Sequence, residues 1–174
     1  MDELNRISVE EFKQTEKTPI VVVLDNVRSL NNIGSVFRTC DAFRIEKICL
    51  CGITACPPNK DIAKTALGAT ESVDWEYFET TRDAVLLLKA KGYAIAAVEQ
   101  VDESVMLHEF TPDFARPLAL IFGNEVFGVD DELLPLCDCC IEVPQFGIKH
   151  SLNISVCVGI VLWHLFAQWL KKAK

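Results

Sequence analysis

"PIVVVLD", residues 19–25, is the stretch on which the fold turns. It is too short for a helix, and it is β-branched and apolar at successive rather than alternating positions. That is the pattern of a strand covered on both faces. Shortly after it comes "NNIGSVFRTCDAF" (31–43). At 100° per residue, Ile33, Val36, Phe37, Cys40 and Phe43 share one face of a helix over 32–44, while Asn31, Gly34, Arg38 and Asp41 share the other. Asn32 is placed to cap that helix. Glycine costs about 1 kcal/mol against alanine inside a helix, so Gly34, one turn before Arg38, marks a position where something comes close.

The strand-then-helix unit recurs along the chain. "EKICLCG" (46–52), "SVDWEYF" (72–78), "YAIAAVE" (93–99), "PLALIFG" (117–123) and "CIEVP" (140–144) read as further strands. Between them lie a short helix in "PPNKDIAKTALGA", with Pro58 in its first turn, and a helix over 80–91 stopped by Gly92. A turn or short helix follows at 130–136, and a long helix at 152–171 closes the chain. This alternation implies an α/β fold with a mostly parallel sheet flanked by helices. Neither repeat nor linker interrupts it, so residues 20–174 read as one domain behind an N-terminal extension, 1–19.

The 174 residues carry a formal net charge of −8, half of them are apolar and a quarter charged. This is globular composition. The acidic opening, "MDELNRISVEEF", lacks the pattern of a signal or transit peptide, so the expected location is cytoplasmic. Eight cysteines are present. "CDCC" (Cys137, Cys139, Cys140) lacks the nearby histidine pair that zinc would favour, and the cysteines are expected to be reduced thiols, mostly buried. The closing helix, "ISVCVGIVLWHLFAQWL", is apolar nearly all round, yet shorter than a membrane span and broken by Ser155, His164 and Gln168. It is read as a buried helix with one side covered by a second subunit, a homodimer, and His164 as a core or interface residue.

Two later segments complete the functional reading. "IFGNEVFGVDDELL" (121–134) sets Gly123 and Gly128 around an Asn-Glu pair after a strand, where open α/β sheets bind ligands. Val129 and Asp130 stand where a phosphate loop requires Lys and Ser/Thr, so it is not one. In "VPQFGIKHSLNISV" (143–156), Ser151 or Asn153 opens the last helix, and capping alone does not account for both together with Lys149 and His150. A nucleic-acid partner usually leaves a basic footprint. Here the chain is acidic overall, and locally Arg28, Arg38, Lys149 and His150 sit in or beside the segments that look functional. The hydrolase, zincin and dinucleotide-binding signatures are missing.

Together, "NNIGSVFRTCDAF", "IFGNEVFG" and "VPQFGIKHSLNISV" closely resemble, in order and separation, the three motifs of the SpoU (TrmH-like) branch of the SPOUT RNA methyltransferases. The resemblance runs from the strand at 20 to the last helix. It implies an α/β fold with a C-terminal trefoil knot, a homodimer, and transfer of a methyl group from S-adenosylmethionine to a ribose 2′-hydroxyl of tRNA or rRNA, without a metal. Residue by residue, it makes Asn32, Arg38, Glu125, Ser151 and Asn153 the reaction-site set. It puts cofactor contacts at Val98, Glu99, Gly123, Val143, Ser151 and Leu152. Arg38 would bind the phosphate beside the target and orient the hydroxyl, and Glu125 would brace Arg38 or the motif loops. Gly34 would leave room for RNA or a neighbouring loop. The short extension favours tRNA over rRNA, and the acidic surface admits an accessory protein. The rival readings are a non-catalytic RNA-binding or scaffold protein of the same fold, and a flavodoxin-like nucleotide-binding domain.

Overall fold

A computed structural model of the protein describes residues 7–148 and 151–172. The β-branched run forms β1 (Thr18–Asp25), the third of seven strands. The others are β2 (Ile45–Cys51), β3 (Trp75–Phe78), β4 (Ala94–Val98), β5 (Val105–Met106), β6 (Leu118–Phe122) and β7 (Cys139–Glu142). They lie in the order β3-β2-β1-β6-β4-β7-β5, and every neighbouring pair is parallel.

Strand β1 is covered on both faces, as its unbroken apolar run requires. Ile20, Val22 and Leu24 join one core with Ile33, Val36 and Phe37 of α2 (Leu30–Ala42) and with Val158, Val161, Leu162 and Leu165 of α6 (Ile154–Lys172). Val21 and Val23 face the opposite core, which holds Ala84, Val85 and Leu88 of α5 (Thr81–Ala90). Three short helices that pattern alone left out or placed loosely are α1 (Val9–Gln14), α3 (Lys60–Ala66) and α4 (Ala69–Ser72). The two-residue edge strand β5 was not expected either, being too short to carry a period.

Several local expectations are corrected. Ser29, not Asn32, caps α2: its hydroxyl accepts from the Asn32 amide at 3.3 Å. Asn32 therefore sits inside the first turn with its side chain free for other work. Asn59, not Pro58, opens α3. Gly34 is buried rather than on a solvated face. A β-carbon there would lie 2.2 Å from both the Ile62 carbonyl oxygen and the Thr65 hydroxyl. What comes close at Gly34 is helix α3, not RNA. Thr65 completes the contact by donating to the Asn31 carbonyl at 2.9 Å.

Helix α6 is long and apolar enough by length and composition to cross a membrane, yet one stripe of it is packed into the core and against α2. The opposite stripe, including Val156, Ile160, Trp163 and Leu170, is exposed. Trp163 and Phe166 lie against Phe43, with ring centroids 5.8 and 5.2 Å from it. The His164 Nε2 is buried and has no hydrogen-bond partner among the described residues.

All eight cysteines are free thiols: three are buried and five half-buried, so burial is less complete than expected. The C-terminal third, from β6 through β7 to α6, follows a strand order compatible with the knotted path that the family resemblance implies.

Candidate active site at the carboxyl ends of the central strands

A cavity of about 490 Å³ opens where β4, β6 and β7 end and α6 begins. Its apolar floor is Val98, Phe122, Ile141 and Ile154, and its walls are three backbone segments, around 98–100, 123–128 and 141–145. All six residues expected to contact a cofactor line it: Val98, Glu99, Gly123, Val143, Ser151 and Leu152. The volume is that of a small-molecule site, and the carboxyl ends of parallel strands are where such sites form.

The two glycines of the second segment build its wall. The chain turns back so tightly after β6 that Asn124 and Gly128 form an isolated antiparallel bridge. A β-carbon on Gly123 would sit 2.0 Å from the Gly128 carbonyl carbon, and Gly128 itself has φ +73°. Asn124 braces the turn from inside, its Oδ1 accepting from the amides of Val126 and Phe127 and its Nδ2 donating to the Asn26 carbonyl at 2.7 Å. Glu99 closes the far side by accepting from the Val129 amide at 2.8 Å.

One chain of side-chain contacts ties the three sequence segments together. The Glu125 carboxylate accepts from the Arg28 amide at 3.0 Å, the Ser29 amide at 2.9 Å and the Asn32 Nδ2 at 3.4 Å. Asn32 Oδ1 accepts from Asn153 Nδ2 at 3.1 Å. Asn153 Oδ1 in turn accepts from the Ser155 amide and hydroxyl, capping α6. An ionised carboxylate can only accept, so the polarity of the whole chain follows from Glu125. Partial burial pushes the Glu125 carboxyl up. The amides of Arg28 and Ser29, followed by its own amide and the Asn32 side chain, outweigh this and hold it below the ordinary glutamate value.

The structure therefore joins Asn32, Glu125 and Asn153, and sets Glu125, Ser151 and Asn153 on the cavity. It makes Asn153, not Ser151, the helix cap. Glu125 braces the loop that opens α2 and not Arg38. Arg38 is exposed, six residues and so about 9 Å along the helix axis from Asn32. Among the described residues it makes no hydrogen bond or ion pair and lines neither this cavity nor its neighbour. Arg28 lines the neighbouring cavity. Lys149 and His150 lie outside the described residues. Sequence reasoning missed Gln100, Glu142 and Gln145 on the cavity wall, as well as Asn124. Only Asn124 had a readable signal, an Asx-turn residue between two glycines.

The charge of the lining is one-sided. Glu99, Glu125 and Glu142 line the cavity, and none of its described lining residues is Lys, Arg or His.

Residues 19–163 match the SpoU rRNA Methylase family. The chain belongs to that family. Among its SpoU relatives, a tRNA (guanosine(18)-2′-O)-methyltransferase of Thermus thermophilus is 29% identical over 169 residues, 97% of this chain and 85% of the relative. The enzyme of the same name from Aquifex aeolicus is 31% identical over 162 residues, 91% of this chain and 74% of the relative. The crystal structure of the A. aeolicus TrmH/SpoU tRNA modifying enzyme superposes with a TM-score of 0.83 at 28% identity, covering 95% of this chain and 82% of that one. An AdoMet-bound rRNA methyltransferase from Sinorhizobium meliloti gives 0.79 at 26% identity, over 88% of this chain and 58% of the other. Membership in the SpoU family replaces the flavodoxin-like reading.

Proposed function

We propose that this protein transfers a methyl group from S-adenosylmethionine to a ribose 2′-hydroxyl of RNA, with tRNA ahead of rRNA, and that it works as a homodimer. The observation that carries the reading is the cavity lined by Glu99, Glu125 and Glu142 without a described cation. A polyphosphate or flavin phosphate would be repelled there, whereas a ligand bearing a sulfonium is attracted. The apolar floor of Val98, Ile141 and Ile154 suits an adenine ring, and backbone groups of 98–100 and 123–128 suit its polar edges. The relatives named above, tRNA 2′-O-methyltransferases and an AdoMet-bound rRNA methyltransferase, support the same assignment.

Bound in the cavity, S-adenosylmethionine supplies an electrophilic methyl group. The protein's share is to align the ribose oxygen with it and to manage the hydroxyl proton. Glu125, Asn32 and Asn153 form a rigid polar rim whose directions are fixed by the carboxylate, so positioning is settled before RNA arrives. Ser151, on the same wall, is a further contact for the reacting hydroxyl. Arg38 takes the phosphate beside the target: it is exposed and unengaged among the described residues, and a planar guanidinium, with N–H donors and no acceptor, is suited to holding an anion rather than accepting a proton. The exposed stripe of α6 (Val156, Ile160, Trp163) is the surface a second protomer would cover.

The deciding experiment titrates S-adenosylmethionine calorimetrically, then incubates the protein with unmodified total tRNA and, separately, rRNA, reading nucleosides by mass spectrometry. A new 2′-O-methylnucleoside that is lost in Arg38→Ala, with cofactor affinity retained, supports the proposal. Absence of cofactor binding overturns it in favour of the scaffold reading.

A further inference from the structure

A second cavity, of about 700 Å³, opens on the other side of the 124–128 turn and shares Asn124, Phe127 and Gly128 with the first. Its floor is pre-organised. Asn26, held at φ +54°, accepts from the Ile53 amide at 3.2 Å, and its carbonyl takes the Asn124 side chain. Buried Asp25 is largely committed to the fold: its Oδ1 accepts from the Asn26 side chain and the Thr81 hydroxyl, and its Oδ2 from the Asp130 amide. Asp130 Oδ1 accepts from the Glu132 amide.

What remains for a visitor is specific. Phe127, between the two cavities, is 85% exposed on a turn that is itself tightly braced. Arg28 stands at the rim, its backbone fixed by Glu125. Asp131 is exposed, with no hydrogen bond or ion pair among the described residues.

We propose that this second cavity receives the nucleobase of the nucleotide whose ribose is methylated, stacked on Phe127, with Arg28 and Asp131 at its hydrogen-bonding edge. The inference rests on the methyltransferase reading and extends it to how the target is selected. A ribose lying across the shared wall would turn its hydroxyl toward the first cavity and its base toward the second. Enzymes that act on one nucleotide draw it out of its stack and hold the base against an aromatic or apolar wall. Guanine fits the edge groups best: it alone sets two adjacent N–H donors, suited to one carboxylate, beside the O6 and N7 acceptors that arginine engages. The aspartates of this cavity, hard to reconcile with a phosphate-binding surface, suit a base edge.

The test titrates each of the four nucleoside 5′-monophosphates into 15N-labelled protein with S-adenosylhomocysteine present, following amide shifts. The expected result is movement of Ile53, Phe127 and Val129, strongest for guanosine monophosphate and abolished in Phe127→Ala. Asp131→Asn, at a site with no structural partner among the described residues, is expected to weaken guanosine monophosphate about ten-fold and uridine monophosphate little. No shift at these three positions with any nucleotide, or shifts unchanged by both substitutions, overturns the inference. A titration with S-adenosylhomocysteine alone, read at Gly123 and Leu152, reports on the cofactor assignment separately. Absence of shifts there with nucleotide shifts intact would sink the methyltransferase reading and leave a base-binding pocket without its methylated ribose.

Discussion

Replacing Glu125 by glutamine tests the central piece of reasoning, that one carboxylate sets the direction of every hydrogen bond across the three segments. The carboxylate accepts three bonds, at 3.0, 2.9 and 3.4 Å. Glutamine keeps one acceptor oxygen, enough for Ser29 and Asn32, and turns an NH₂ toward the Arg28 N–H, donor against donor. Hydrogen bonds to charged groups contribute about 1.5–3 kcal/mol when sheltered, and solvent exposure of this side chain reduces that, so a total loss of about 1–2 kcal/mol is expected. In a domain of this size that lowers Tm by roughly 2–8 °C.

The pH dependence gives the sharper signature. Because the folded carboxyl lies below the ordinary glutamate value, its stabilisation is fully present above that value and is lost as pH falls through the lowered one. Urea unfolding followed by fluorescence of the three tryptophans at pH 7 and about pH 3.5 should therefore show a gap between wild type and Glu125→Gln that narrows on acidification. An equal gap at both pH values, or none at pH 7, would refute the reasoning.

Other outcomes follow from the packing. Gly34→Ala gains about 1 kcal/mol of helix propensity but drives a methyl into the Ile62 carbonyl and Thr65 hydroxyl, so a net loss of about 1–2 kcal/mol is expected by thermal unfolding. Trp163→Glu, on the exposed stripe of α6, should convert the proposed dimer to monomer in light scattering while leaving the circular dichroism spectrum intact, and a wild-type protein that is already monomeric would refute the dimer. Burial, then the neighbouring Cys140 and Cys139, push the Cys137 thiol up to about 11. Iodoacetamide should alkylate it on the order of a hundred-fold more slowly than a free thiol at pH 7.5, read by mass spectrometry.

The layers of the fold were legible because β1 and its neighbours carry unbroken apolar runs that only a doubly covered parallel sheet accommodates. Helix boundaries were less so. Ser29 and Asn32 are both good caps three residues apart, and only the backbone path decides between them. Gly34 illustrates the limit from the other side: the cost of glycine in a helix signalled a close neighbour, but its identity, α3, depends on a contact made 28 to 32 residues further along. The residues lining the first cavity were readable through the three motifs. The partners of Glu125 were not, since two of them are backbone amides, which every residue but proline carries. Nor does spacing reveal that Arg38 stands apart from the residues it accompanies in its own motif.

The bond from Asn153 to Asn32 spans 121 positions of sequence, and this bears on synthesis. A growing chain can pair β1 with β2 while it is still being made, but it has no closed polar rim until residue 153 has left the ribosome and α6 has begun to form. Contacts of such separation form late because the loop they close costs entropy first. An incomplete chain would thus be able to adopt much of the sheet and still lack the fixed rim. Activity that depends on the rim would appear only once this segment has been made, giving a guard against modification of RNA by shorter, unfinished chains.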